Sequence, residues 1–432
     1  MFNLVHKTGN PSEKVQRGEY TIAFTLLAVA LFLRIACIFH RHFDSDESQH
    51  LHVVWGWAHG LLQYRDVFDN HTPLFHLLCT PIFIAFGERP EVLFAMRLAM
   101  IPLYLLTLWS TYIIGRVIFS QRAGLWAMVF VGLFSRFFIC SSEFRTDDLW
   151  IVFWLLAIVL LVRGHLTQLR SFIVGLFLGL AVGVSMKTTL LLFALGVSAL
   201  ATVAFSIVSY SSKPDFRRFS LSGLTMILGL LLVPLSLTLF FYFKGALVPF
   251  FYGTVEHNLL PGHGRWKIFQ WKFFLFPVIL ALLWWGARTI VVYSTVSANI
   301  VMRRIFVFFV TGVYISALKI FWPIIERETM LPFYPLFIIL ITPLILTVIP
   351  RLITKQWGGT LLSRLLTSTI VPVFVALLEI GLLLVGAKPW RNDTLNQIRL
   401  LKDMLRLRVC HIITVTILHV FWANGIIPFS VK

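Results

Sequence analysis

Asp44, Asp46 and Glu47 stand within four residues of one another in a chain that has only 19 acidic residues among 432. They belong to the polar stretch Phe43-Asp44-Ser45-Asp46-Glu47-Ser48-Gln49-His50, which continues through Tyr64-Arg65-Asp66-Val67-Phe68-Asp69-Asn70-His71-Thr72-Pro73-Leu74. Asp44 followed three residues later by Glu47 is the reciprocal cap that opens a helix. On such a helix Asp46 shares a face with Gln49, His50 and Val53, because residues three, four and seven apart lie above one another. A carboxylate, an amide and an imidazole are thereby presented together, a set on which general acid–base chemistry draws.

The elements that must hold this set are membrane helices. Hydrophobic residues make up 58% of the chain and charged ones 13%, and the apolar runs approach the roughly 20 residues that span a bilayer. The net charge of +18 comes from basic residues dispersed at the ends of those runs, which excludes a nucleic-acid patch and fits membrane topology. Cys37, Cys79, Cys140 and Cys410 lack metal-ligand spacing and read as structural thiols. The N-terminal segment 1–19 has no signal-peptide pattern and carries Lys7, Lys14 and Arg17, so the first span reads as a retained anchor that starts in the cytoplasm.

Eleven spans are expected, at 20–39, 92–118, 123–140, 148–164, 171–186, 188–209, 219–243, 271–289, 304–322, 331–349 and 366–386. Loops with Arg116/Arg122, Arg163/Arg170, Lys213/Arg217/Arg218, Arg288/Arg303/Arg304 and Arg351/Lys355/Arg364 mark the cytoplasmic side. The opposite loops then hold every Asp and Glu except Glu13, Glu19, Asp215 and Glu379. Segment 74–86 is expected not to cross: at 1.5 Å per residue it reaches only about 20 Å of a ~30 Å hydrocarbon core, and counting it would invert every later loop. It reads as an interfacial or re-entrant helix of a first outer loop, 40–91. Residues 387–432 form a short outer tail, in which Asp393-Thr394 caps an amphipathic helix with Leu395, Ile398, Leu401 and Leu405 on one face, expected on the membrane surface. Glu379, inside the last span, demands a partner.

An acidic pair after span one, a Pro-Leu-aromatic segment closing the same loop, and a second acidic loop two spans later make a recognisable order. Asp46-Glu47 with His50, Phe68-Asp69-Asn70-His71-Thr72-Pro73-Leu74-Phe75, Glu143-Phe144-Arg145-Thr146-Asp147-Asp148, the glycine-rich span Gly175 to Gly183 ending in Lys187, and Arg327-Glu328-Thr329-Met330-Leu331-Pro332 resemble the membrane glycosyltransferases of the GT-C fold. That family uses polyprenyl-phosphate sugars and contains protein O-mannosyltransferases and the lipid A aminoarabinose transferase. The resemblance covers residues 20 to 350. It implies an all-α bundle with a groove open to lipid, an acceptor cavity open to the outside, and the first-loop Asp where they meet. Two features depart from the pattern: His71-Thr72 stands where some relatives have Lys or a second Pro, and the sizeable C-terminal outer domain of many relatives has no counterpart of that size after the last span.

The chemistry that follows is transfer of one sugar from an undecaprenyl- or dolichyl-phosphate carrier to a lipid, glycan or protein acceptor on the outer face of a plasma membrane, bacterial by the comparison. The departing phosphate is already a stable anion, so no general acid is needed, unlike in glycosidases. One base and several cations suffice. The expected catalytic residues are Asp46 and Glu47, supported by Asp147 and Asp148 of the second acidic loop. Lys187, Arg327, Arg145 and His71 are the expected phosphate ligands, with His50, Glu256 and His257 toward the acceptor. The loop from Phe250 to Asn258, ending in Pro261-Gly262-His263-Gly264, has the composition of a lid. Asp46, Asp147 and Asp148 would offer hard oxygen ligands to Mg²⁺ or Mn²⁺ if they converge.

Plainer structural roles stand beside each of these. Asp44 and Glu47 serve as a capping box, Asp147 and Asp148 complement a helix dipole, Lys187 snorkels from a span end, and the histidines pack. Two other classes compete: a transporter or flippase, which would place charges mid-membrane on broken helices and show repeats, and an inactive relative that binds polyprenyl lipid.

Overall fold

The computed structural model describes residues 15–211, 215–259, 271–292, 294, 296–322, 325–356 and 361–406. Most of the N-terminal segment, the Pro261-Gly262-His263-Gly264 base of the expected lid, Cys410 and the end of the tail lie outside these residues.

Apolar runs of this length satisfy their backbone only as helices, and among the described residues the one non-helical pairing is the isolated bridge Gln63–Val67. The order is α1 (Arg17–His40), α2 (Ser45–Ala58), α3 (Leu74–Phe86), α4 (Val92–Leu98), α5 (Ile101–Ile118), α6 (Gln121–Leu133), α7 (Ser135–Cys140), α8 (Thr146–Val162), α9 (Gln168–Val184) and α10 (Thr188–Tyr210). There follow α11 (Phe216–Phe243), α12 (Leu247–Phe251), α13 (His257–Leu259), α14 (Leu275–Val292), α15 (Ala298–Phe321), α16 (Phe333–Pro343), α17 (Ile349–Gln356), α18 (Leu361–Ala387) and α19 (Asp393–Arg406). Each of the eleven expected spans coincides with helix. Seven, at 17–40, 92–118, 188–210, 217–243, 275–292, 298–321 and 369–387, are long and apolar enough on their own to cross a membrane. The protein is a multi-pass membrane protein.

Three expected spans are interrupted, 92–118 at the turn of residues 99–100 between α4 and α5. The run 123–140 breaks at Phe134, which leaves the helical region at ψ 110°. The freed Ser135 N–H is taken up by Glu379 of α18, so the isolated acid of the last span caps the second half of a broken helix. The run 331–349 passes into a π turn at Leu344–Val348, directly after Pro343, whose missing N–H cannot continue the α ladder.

The tightest seam joins α9 and α11. A Cβ on Gly179 would stand 2.5 Å from the Leu230 carbonyl oxygen, and Gly175 and Gly229 press equally on Met226 and Phe172 backbone across the seam. Small residues let backbones approach where apolar burial offers no drive between helices in lipid. The core gathers Trp126, Trp150, Trp154 and Phe144, all buried, while Leu235 and Leu239 of α11, Trp285 of α14 and Phe374 of α18 face outward. Cys37, Cys79 and Cys140 are free and buried.

The tail helix α19 packs on the first outer loop and the start of α4: Ile398 joins Phe43 and Leu93, Gln397 Oε1 accepts from Phe43 N–H at 2.7 Å, Thr394 donates to the Arg41 carbonyl and Lys402 pairs with Glu91. An apolar stripe finds protein as readily as lipid, and here the loop supplies one.

Candidate active site

Asp44 caps α2 as expected, accepting from Asp46 N–H at 3.1 Å, while Glu47 reaches back to Asp44 N–H at 2.9 Å. Glu47 then does much more. It is fully buried, receives Arg97 Nε at 2.7 Å and Nη2 at 2.6 Å, and accepts from the Phe144 N–H at 2.7 Å. Arg97 spends its remaining donors on the carbonyls of Ile38, Arg41 and His42. Glu47 therefore ties α2 to α4 and to the second acidic loop, and its oxygens are engaged away from solvent.

Asp46, one residue earlier and about 100° around the helix, keeps 42% of its side chain exposed. Its Oδ2 lies 2.6 Å from Arg145 Nη2. Arg145, itself 7% exposed, sits among five carboxylates: Asp46, Asp44 at 3.6 Å, Glu143 at 3.7 Å, Asp147 at 3.6 Å and Glu328 at 3.5 Å. Lys187, at the start of α10, reaches Asp147 Oδ1 at 3.0 Å. The outcome is a line of alternating charge, Asp46, Arg145, Asp147, Lys187, drawn from α2, the loop before α8, α8 and the head of α10.

Asp148 does not join it. Successive helical residues point about 100° apart, so only one of the α8 acids can face the loop; Asp148 is buried with Arg34 as its leading countercharge, and Arg34 in turn donates to Ser141 Oγ at 2.9 Å. The Arg145 guanidinium lies between Asp46 and Asp147. Among the described residues no group of three His, Cys, Asp or Glu side chains is arranged as a metal site.

Behind the line lies a second, buried cluster. Asp69 is fully buried and its Oδ1 accepts from Gln49 Nε2 at 3.2 Å and Asn70 N–H at 2.9 Å and meets His71 Nδ1 at 3.0 Å, while Oδ2 accepts from Gln63 Nε2 at 2.8 Å and faces His76 Nδ1 at 3.5 Å. His76 Nε2 is 3.0 Å from His50 Nδ1. Burial alone would raise the Asp69 carboxyl, but His71, His76 and its hydrogen bonds hold it below the usual carboxylate range. Burial, with His71 and His76 adding to it, pushes His50 well down. His50, buried against Phe75, Phe144 and His71, is thus a neutral member of this cluster rather than an open acceptor ligand.

The expected lid packs on the same loop. Gly253, in the π turn Tyr252–Glu256, lies against the Tyr64 ring and the Asp69 carbonyl, where a Cβ would come within 2.8 Å. Asn258 Nδ2 donates to the Asn70 carbonyl at 3.0 Å, and His257 meets the Phe68 ring edge-on at 5.0 Å. Glu256 is exposed. Arg327 is exposed at the head of the turn Glu328–Met330, and its neighbour Glu328, rather than Arg327, reaches Arg145. Directly beyond Lys187, Thr189, Leu190 and Phe193 of α10 and Phe321 and Trp322 line an apolar cleft of about 260 Å³.

Sequence reasoning missed Arg97, Asp69 as a hub, His76, Glu143 and Glu328. Arg97 gave a signal as a cation inside an apolar run, and Asp69, Glu143 and Glu328 stood within the segments that carry the resemblance, with no role of their own assigned.

Residues 70–237 match the family described as dolichyl-phosphate-mannose-protein mannosyltransferase. The fold is shared with ArnT from Cupriavidus metallidurans: in the apo state at TM-score 0.55 and 14% identity over 86% of this chain and 78% of that one, and bound to undecaprenyl phosphate at TM-score 0.54 and 16% identity over 95% and 76%. No curated protein sequence matches the chain. The family match is confined to residues 70–237, and what the solved structures share with this chain is the fold.

Proposed function

We propose that the protein transfers a single hexose or pentose from a polyprenyl-phosphate donor to a lipid, glycan or protein acceptor on the extracytoplasmic face, in a bacterial plasma membrane, with inversion at the anomeric carbon. The carrying observation is the line from the half-exposed Asp46 through Arg145 and Asp147 to Lys187, which ends where the apolar cleft begins. A lipid phosphate with its head at Arg145 and Lys187 and its first isoprene units in the cleft would hold its sugar on the Asp46 side.

Asp46 takes the proton of the acceptor hydroxyl as that oxygen bonds to the anomeric carbon from the face opposite the phosphate. The carbon–oxygen bond to phosphate breaks with its electron pair remaining on the phosphate, whose charge grows from one to two. Arg145 and Lys187 meet that added charge in a site shielded from water, where fixed cations act most strongly. Glu47 positions Asp46 by anchoring the helix on which it stands.

Purified protein incubated with a panel of radiolabelled polyprenyl-phosphate sugars should consume one donor, and Asp46→Asn should slow transfer about 10²–10⁴-fold, the usual worth of a general base, with donor binding retained. Full activity in Asp46→Asn removes Asp46 as the base. For the face of action, a cysteine placed at Asn70 should label from outside while one at Gln121 stays protected.

A further inference from the structure

Asp69 has the geometry of a residue that acts through another. It is buried, it collects side chains from α2 (Gln49), from the turn at Gln63 and from both sides of Pro73 (His71, His76), and no oxygen of it is left for a ligand. Of its two histidine partners His76 is buried and His71 emerges, with 21% of its side chain exposed. Asp69 engages the Nδ1 edge of His71, so the opposite edge, Nε2, faces away from the hub. The His71 backbone is fixed as well: its carbonyl accepts from Tyr64 Oη at 2.6 Å and Gln63 Nε2 at 3.2 Å, and Tyr64 holds a left-handed φ of 73° to make that contact. Thr72 then bonds the Val182 carbonyl at 2.8 Å, which docks His71 beside the end of α9, three residues before the turn that delivers Lys187.

We propose that Asp69 is the positioning residue of the donor site: it holds His71 with Nε2 toward the phosphate, where His71 joins Lys187 and Arg145. This rests on the reading of the protein as a polyprenyl-phosphate sugar transferase. The pairing supplies what an imidazole lacks. A lysine in this place would be a fixed point charge on a flexible stem, whereas an imidazole presents a ring nitrogen to a phosphate only if a partner fixes its ring. The groups around His71 are Asp69, His50 and His76 from the hub and Asp147 with Lys187 and Arg145 from the line. Asp69 is the one that fixes its orientation, and His76 and His50 hold Asp69 from behind.

The test is titration of detergent-solubilised full-length protein with a polyprenyl monophosphate, followed by intrinsic tryptophan fluorescence. Asp69→Asn and His71→Ala should each weaken binding about tenfold, the scale of one hydrogen bond to a charged group, and the double variant should be no weaker than either single one. In the Asp69→Asn background, His71→Lys should restore binding to within about threefold of wild type, since an ammonium needs no orienting carboxylate. A merely structural role for Asp69 would not be rescued by a change at position 71. Unchanged binding in His71→Ala, multiplying losses in the double variant, or failure of the lysine to rescue overturns the proposal. Should Asp69→Asn fail to fold, Asp69→Glu, which moves the carboxylate off Nδ1 of His71, takes its place in the same series, and unchanged binding in Asp69→Glu overturns the proposal. Wild-type protein that binds no polyprenyl phosphate overturns the functional reading together with this one; wild-type binding with unaltered variants overturns this one only.

Discussion

Arg97 and Glu47 form a two-point ion pair with both side chains buried, at 2.7 and 2.6 Å. Because Arg97 also satisfies three backbone carbonyls at the end of α1, its loss strands a buried carboxylate and loosens the segment before Asp46 at once. Arg97→Ala should lower stability by about 3–5 kcal/mol, the cost of breaking a buried pair from one side. Arg97→Lys should rescue little of it, since a single ammonium cannot reproduce the fork. Thermal unfolding in detergent, followed by circular dichroism, checks both.

Glu143 predicts a pH dependence. Burial first, then the neighbouring Glu47 charge, outweigh Arg41 and Arg145 and push its carboxyl up to about 8. An acid whose folded value lies above its unfolded one binds a proton on folding, so its contribution to stability is fully present below the unfolded value near 4.5 and is lost as pH rises to about 8. Glu143→Gln should flatten this part of the stability profile and leave the variant relatively more stable above pH 8. A profile from pH 5 to 9 that is identical for the two proteins would contradict the assignment.

Lys187→Ala should weaken polyprenyl-phosphate binding by about 10- to 100-fold, as expected when a charged hydrogen-bond donor to an anion is removed. It should also lower stability, because the buried Asp147 loses the ammonium 3.0 Å away and keeps only Arg145 at 3.6 Å. Equilibrium binding and a melting curve on the same preparation separate the two effects.

The α9–α11 seam and the open side of α10 make opposite predictions for glycine. Gly179→Val meets the Leu230 carbonyl and should destabilise by about 1–3 kcal/mol through overpacking. A Cβ at Gly196 meets nothing within 4 Å, so Gly196→Ala should be neutral or stabilise by up to about 1 kcal/mol from helix propensity. Paired unfolding measurements give the contrast directly.

Much of this architecture was legible because membrane helices and caps are local properties. The 13-residue α3 appears at the expected bounds, and the capping box of α2 forms as Asp44-x-x-Glu47 implies. What a sequence does not carry is which of two adjacent acids turns inward. Asp147 and Asp148 are indistinguishable by composition, and the choice falls to Lys187 and Arg34, which approach α8 from different helices. Glu47 misled for a related reason: its cap was visible, but Arg97, 50 residues on, was not identifiable as its partner. Asp69 looked like one more loop acid, because burial by Gln49, Gln63 and His76 is decided only once α2 and α3 meet.

The contact between α19 and residues 40–44 has a consequence for biogenesis. The helix that steadies the segment leading into Asp46 is translated nearly 350 residues after it, so Gln397 and Thr394 reach Phe43 and Arg41 only when the last span is already inserted. Nascent chains would carry this acidic loop long before they could brace it, which delays its final packing until the last span is in place.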